Sequence, residues 1–349
     1  MVLTREGVFR YAQKMFEEKL VVVVGSGASC AYGLPGMSLL ANHLQAKMAD
    51  TVLGITPQDQ AVWDEIARDL KEGVDLESAL MRRSVPSTLA ETIALLVAEC
   101  VERSEGAAIA SILEADDITP LGRLFLNALR TTRILDVITT NYDRLIEVHA
   151  ARAEVPVDSM FHGHTVGRLD SRSSHEEQYR MDERRGTSRS PMLTLRPHVR
   201  LSKPHGSLDW YTYNGRHYRS DLAMPGARRI VAPGNNKYKL GYETPFDLQR
   251  ERANKAIDEA GSLIFTGYGF NDEHLQTHMR ERSASLPSVV LSMELTTNAR
   301  EYLRSNPEAI GIEAGPTGDD CVVIQGDKQT QLDTPLWDLD RFLKEALGI

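Results

Sequence analysis

The stretch VVVVGSGASCAYGLPG, residues 21–36, runs from an apolar strand into a glycine-rich turn. Leu20 to Val24 show no alternation of apolar and polar residues, so this strand is expected to be buried on both faces. Gly25, Gly27 and Gly33 allow tight turning and close approach of backbone to a ligand. A helix starting just beyond would offer unpaired N–H groups and a positive dipole end to a phosphate. The spacing is neither GxGxxG nor GxxxxGK[ST], which removes the ordinary dehydrogenase fingerprint and the ATPase P-loop. Taken alone, the turn also fits a tight strand-to-helix connection that holds no ligand.

Outward from this turn, strands and helices alternate. Upstream, Phe9, Ala12, Met15 and Phe16 fall at helical spacing. Downstream, residues 37–133 are expected to be a mostly helical insertion, with apolar residues three and four apart. A second buried strand, RILDVITTNYD, follows it. Residues 151–200 are polar and rich in Ser and Arg, and are expected to be a surface loop. Beyond them come LSKPHGSLDW, a helix-like TPFDLQRERANKAIDEA, the strand-and-glycine-turn GSLIFTGYGFND and a buried PSVVLSMELTT. Residues 301–349 read as a C-terminal strand–helix extension. Such alternation predicts an α/β fold: a parallel sheet with helices on both faces. Ligands in such sheets bind beyond the carboxyl ends of the strands, where GSGAS, TTNYD, KPHGS and TGYGFND would converge.

Composition narrows the function classes. The 349 residues are 42% apolar and 26% charged, ordinary for a globular protein, and the net charge of −9 argues against direct nucleic-acid binding. No run of 18 or more apolar residues and no signal-peptide core is present, so a cytoplasmic protein without a membrane span is expected. The three cysteines, Cys30, Cys100 and Cys321, form no CxxC pair and exclude a four-cysteine zinc site.

Within the motifs, Asn141 can donate and accept, as a ribose hydroxyl or a water requires. Asp143 suits either a positioning role or the cap of the next helix. His205, flanked by Gly206 and Ser207, is the natural general base near neutral pH. A Ser–His–Asp hydrolase is disfavoured because no GxSxG elbow occurs.

The four motifs in this order resemble the sirtuin family. That family carries a Gly-Ala-Gly-(Ala/Ile)-Ser turn, a Thr-Gln-Asn-Ile-Asp motif, a catalytic His-Gly and a late glycine-containing NAD loop. Here the counterparts are GSGAS followed by GLP, TTNYD, PHGS and TGYGFND. The resemblance runs from about residue 20 to 300, the helical insertion aside, and implies a Rossmann-like sheet in a single domain spanning residues 1–349. The departures are the missing CxxC pairs, the early helical insertion, and GMS where deacetylating sirtuins have Asp-Phe-Arg. KPHGSLDW and GYGFNDEHL look like the sirtuin-like proteins of bacterial anti-phage systems, which hydrolyse NAD+.

The resemblance implies NAD+ as substrate and no zinc. Asn141 would hold the ribose hydroxyls and the attacking water, His205 would act as base, and Asp143 would orient this network. Gly25, Ser26, Gly27, Ala28 and Ser29 would bind the pyrophosphate, with Pro35, Thr140 and Gly206 beside them. Gly267, Tyr268 and Gly269 would form the second wall, and Glu294 would either accept from the adenosine ribose or merely cap a helix. It also implies a homo-oligomer and a separately encoded activator such as a HerA-like hexameric ATPase. Two other readings stay open: an NAD-dependent protein deacylase, and a non-catalytic subunit that binds NAD+ or ADP-ribose.

Overall fold

The structure is a computed structural model and describes residues 3–49, 55–182, 192–231, 243–272, 275, 278–279 and 285–349. In chain order, helix α1 (Arg5–Met15) leads to strand β1 (Leu20–Val24) and the short helix α2 (Ser26–Cys30). Five helices follow: α3 (Met37–Met48), α4 (Pro57–Lys71), α5 (Leu76–Met81), α6 (Ser87–Glu114) and α7 (Pro120–Ala128). Next come β2 (Ile134–Thr139), α8 (Leu145–Arg152), β3 (Val157–Asp158), β4 (Phe161–His162), β5 (Val166–Leu169) and α9 (Ser171–Glu176). The ribbon β6 (Tyr179–Asp182) and β7 (Met192–Leu195) precedes β8 (His198–Ser202), β9 (Gly206–Tyr213), β10 (Arg216–Ser220) and β11 (Ala227–Ile230). The chain continues through α10 (Phe246–Asp258), β12 (Ser262–Thr266), β13 (Ser288–Leu291), α11 (Thr297–Ser305) and β14 (Ala309–Ala314). It closes with β15 (Cys321–Gln325), β16 (Lys328–Leu332), α12 (Leu339–Phe342) and a π-helical turn, Leu343–Leu347.

The main sheet has the order β16-β15-β14-β13-β12-β1-β2-β8-β3. From β14 to β3 every pairing is parallel, and only β15 and β16 run antiparallel at the edge. β1 lies in its interior because its unbroken Leu-Val-Val-Val-Val has apolar side chains for both faces. Val22 and Val24 pack with Leu124, Phe125 and Ile146, while Val21 and Val23 pack with Ala253, Ile257 and Phe265. This is the helix-covered, parallel-dominated α/β sheet expected from the sequence. A second, antiparallel sheet, β11-β9-β10-β5-β4, adjoins it.

Residues 37–133 carry α3 to α7; α3 to α6 bury Leu44, Trp63, Ile66, Leu89 and Ile93 in a second core, which Leu145, Leu208 and Ile230 join, while α7 packs on the main sheet. Residues 151–200, expected as a polar surface loop, differ from that expectation: they hold β3 to β7, α9 and the start of β8, with residues 183–191 outside the described residues. Strands β3 to β7 are two to four residues long, too short for alternation to register. Strands β14 and β16 were likewise not evident from the sequence. No helix among the described residues is long and apolar enough to cross a membrane.

Candidate active site

Sheet order places the site. From β1 the chain moves to β2 and β8 on one side, then to β12 and β13 on the other. Between β1 and β12 the direction of winding reverses, which opens a crevice at the strand carboxyl ends. Four strands end there: β1 at Gly25, β2 at Thr140–Asn141, β8 at Lys203–His205 and β12 at Gly267–Gly269.

The glycines of the turn let two loops touch. A Cβ on Gly25 would lie 2.4 Å from the Gly267 carbonyl oxygen, and one on Gly267 would lie 2.2 Å from the Ala28 nitrogen. Gly267 also has φ +59°, where a side chain is strained. The Gly25 N–H donates to Thr266 O at 3.0 Å and the Gly27 N–H to Gly267 O at 2.9 Å. These bonds lock the GSGAS turn to the TGYGFND loop.

Beside this junction is a cavity. Of the residues singled out in the sequence, Gly25, Ser26, Ser29, Pro35, Thr140, Asn141, Asp143, His205, Tyr268 and Gly269 line it. Gly27, Ala28, Gly206 and Gly267 stand behind the wall: Gly27 and Ala28 N–H groups are bonded to Gly267 O and Gly25 O. Gly206, with φ +81°, closes the turn Lys203–Pro204–His205–Gly206 through its N–H to Lys203 O at 3.0 Å. Glu294 is exposed, lies past β13 and does not line the cavity.

Asn141 and Asp143 meet through Ser29. Asn141 Nδ2 donates to Gly25 O at 3.0 Å and to Ser29 Oγ at 2.8 Å. Both amide hydrogens are thus used, and Oδ1 is left as the atom with which Asn141 can serve a ligand. Ser29 Oγ donates in turn to Asp143 Oδ2 at 2.8 Å. Asp143 Oδ1 accepts from the Leu145 N–H at 3.1 Å, so this carboxylate both supports the site and steadies the start of α8. Behind it, Lys203 is 1% exposed; its Nζ donates to Asp143 O and to Ser207 Oγ, and lies 3.5 Å from Glu147 Oε1. Burial pushes the Asp143 carboxyl above its ordinary range, against the opposing pull of Lys203, Ser29 and the Leu145 N–H.

The partner of His205 carries no signal of its own in the sequence. His205 Nε2 is paired with Asp272 Oδ2, whose other oxygen accepts from the Leu275 N–H at 3.0 Å. Asp272 was visible as the last residue of TGYGFND but had no assigned role. Glu77 from α5 and Met37 and Leu40 from α3 also line the cavity, so the helical insertion builds one wall. No spacing in the sequence announces that contact. Among the described residues the buried Tyr268 hydroxyl has no hydrogen-bond partner, and burial raises its pKa well above the usual phenol value.

With Glu77, Asp143 and Asp272 on its walls, the cavity is acidic. The acidic walls favour a centre that carries or develops positive charge.

Residues 136–306, just under half of the chain, match the model of the SIR2-like domain. Comparison with the curated proteins finds no match. Among solved structures, a Sir2 homologue in complex with NAD is 15% identical, covering 86% of each chain at a TM-score of 0.39. A Sir2 homologue mutant bound to ADP ribose is 14% identical, covering 84% of this chain and 86% of that one, TM-score 0.38. A further Sir2 homologue mutant, bound to 2′-O-acetyl ADP ribose, is 15% identical, covering 97% and 98%, TM-score 0.43.

Proposed function

We propose that the protein is an NAD+ glycohydrolase, cleaving NAD+ with water to nicotinamide and ADP-ribose. The observation that carries this reading is the meeting of Asn141 and His205, 64 residues apart in sequence, in one acidic cavity at the switch point of the sheet. The match of residues 136–306 to the SIR2-like domain supports it.

In NAD+ the nicotinamide is a pyridinium. When the C1′–N bond breaks, its electron pair returns to the ring, which leaves neutral, so the reaction needs no acid. The site must instead favour an oxocarbenium-like ribose and deliver a nucleophile. Asp143 and Glu77 supply negative potential to that ribose. Asn141 Oδ1 accepts from the attacking water. Because Asp272 can only accept when ionised, His205 Nε2 carries a hydrogen and Nδ1 is the lone-pair nitrogen. Nδ1 takes the proton of the water as its oxygen bonds to C1′, or polarises a ribose hydroxyl in the same role. Asp272 orients the ring and steadies the imidazolium that forms. Ser26 flanks the pyrophosphate, and Tyr268 shapes the second wall. By the resemblance to anti-phage sirtuin-like proteins, the activity would serve abortive infection. It would work in a cytoplasmic oligomer under a separate activator such as a HerA-like ATPase.

Asn141→Ala and His205→Ala each remove a participating group from the cavity wall. Nicotinamide release from NAD+, measured by chromatography without any peptide, should fall at least about 100-fold in each variant while circular dichroism is unchanged. Undiminished NAD+ consumption in both variants would overturn the assignment. Turnover that requires an acetyl-lysine peptide would identify a deacylase instead.

A further inference from the structure

Away from the cavity, at the opposite end of β8, lies a cluster the proposed reaction does not use. One ring nitrogen from His175, one from His198 and one carboxylate oxygen of Asp158 all lie within 4.8 Å of one another. His198 opens β8, Asp158 ends the edge strand β3, and His175 comes from α9.

Two details separate this cluster from an ordinary buried hydrogen-bond network. First, His198 is 0% exposed and its Nδ1 is 2.8 Å from the Arg196 carbonyl oxygen. A carbonyl only accepts, so Nδ1 carries the hydrogen and Nε2 presents a lone pair. Among the described residues that buried Nε2 has no hydrogen-bond partner, which is costly unless something fills the gap. Second, Asp158 Oδ1 accepts from the Met160 N–H at 3.0 Å, Ser174 Oγ at 2.7 Å and Arg252 Nη1 at 3.3 Å. Among the described residues none of these donors reaches Oδ2. An imidazole fixed by a backbone carbonyl and a carboxylate held by its other oxygen are how metal ligands are oriented from behind.

We propose that Asp158, His175 and His198 bind one Zn2+ ion, with solvent in the fourth position beside the half-buried His175. Two imidazoles and one carboxylate suit a borderline cation, whereas Mg2+ and Ca2+ prefer oxygen ligands throughout. The absence of CxxC pairs does not bear on such a site. The ion would fasten α9 to the sheet, on the chain segment that leads from Asn141 to His205.

The test is metal content by plasma mass spectrometry on the purified 349-residue chain, with calorimetric Zn2+ titration after chelator treatment. Wild type should carry about one zinc per chain, and His175→Ala and Asp158→Asn should each weaken Zn2+ binding by at least about 100-fold. His43→Ala, on α3, should retain it. A folded wild type that neither carries nor titrates Zn2+ overturns the proposal without recourse to any variant. Zinc retained by both His175→Ala and Asp158→Asn overturns it equally, by placing the ion elsewhere.

Discussion

At the residue scale, the difference between Asn141 and His205 on one side and Asp272 on the other is instructive. Asn141 and His205 stand out in the sequence because each sits in a short motif at a strand end, and its chemistry follows from its type. Asp272 is recognisable only once β8 and β12 bring two loops together, since its significance is a pairing rather than a type. The same holds for Lys203, whose 1% exposure beneath Asp143 no sequence pattern announces. The pairing of Asp272 with His205 makes a prediction that separates orientation from binding. In Asp272→Asn the side chain keeps its volume but no longer fixes which imidazole nitrogen carries the hydrogen. The turnover number for NAD+ should drop on the order of 100-fold with KM nearly unchanged, as steady-state nicotinamide release would measure. A rise in KM at undiminished turnover would make Asp272 a binding residue only.

At the scale of elements, the glycine turn acquires a use that its sequence did not disclose. Gly25 and Gly27 do permit a close approach, but the partner they approach is Gly267 of the neighbouring loop. Gly267→Ala would force a Cβ to within 2.2 Å of the Ala28 nitrogen, at a φ of +59°. The expected loss is about 2–4 kcal/mol of stability, from backbone strain and overpacking together. Gly33, with φ +82° and nothing within 4 Å of where a Cβ would stand, is the control; Gly33→Ala should lose only about 1 kcal/mol. Urea denaturation of the two variants checks the contrast, and equal losses would refute the loop-contact account. Legibility follows length and burial. The five apolar residues of β1 could be read directly because a strand buried on both faces has no alternation to hide. Two-residue strands such as β3 and β4 carry no period, and their pairing is settled only by the sheets they join.

For the whole molecule, the helical insertion, the glycine turn and α8 converge on one buried side chain. His149 on α8 is 1% exposed, its Nδ1 lies 2.8 Å from Thr119 Oγ1 at the start of α7, and Tyr32 packs edge-on against its ring at 5.0 Å. Burial lowers its pKa from 6.5 to about 4. In the unfolded chain the imidazole takes up a proton near pH 6.5, while in the folded protein it stays neutral until about pH 4. Between those values the unfolded state binds more protons, so stability falls as the pH falls. From about pH 7 to about pH 5 this one group removes about 2 kcal/mol. His149→Gln keeps a hydrogen-bonding group for Thr119 and has no proton to gain. Its unfolding free energy, measured by urea titration at both pH values, should therefore lose about 2 kcal/mol less than wild type on acidification. The same acid loss in wild type and His149→Gln would show that His149 is not the titrating group. Because the residue joins three parts of the molecule, the loss should appear as one cooperative transition rather than as release of the helical insertion alone.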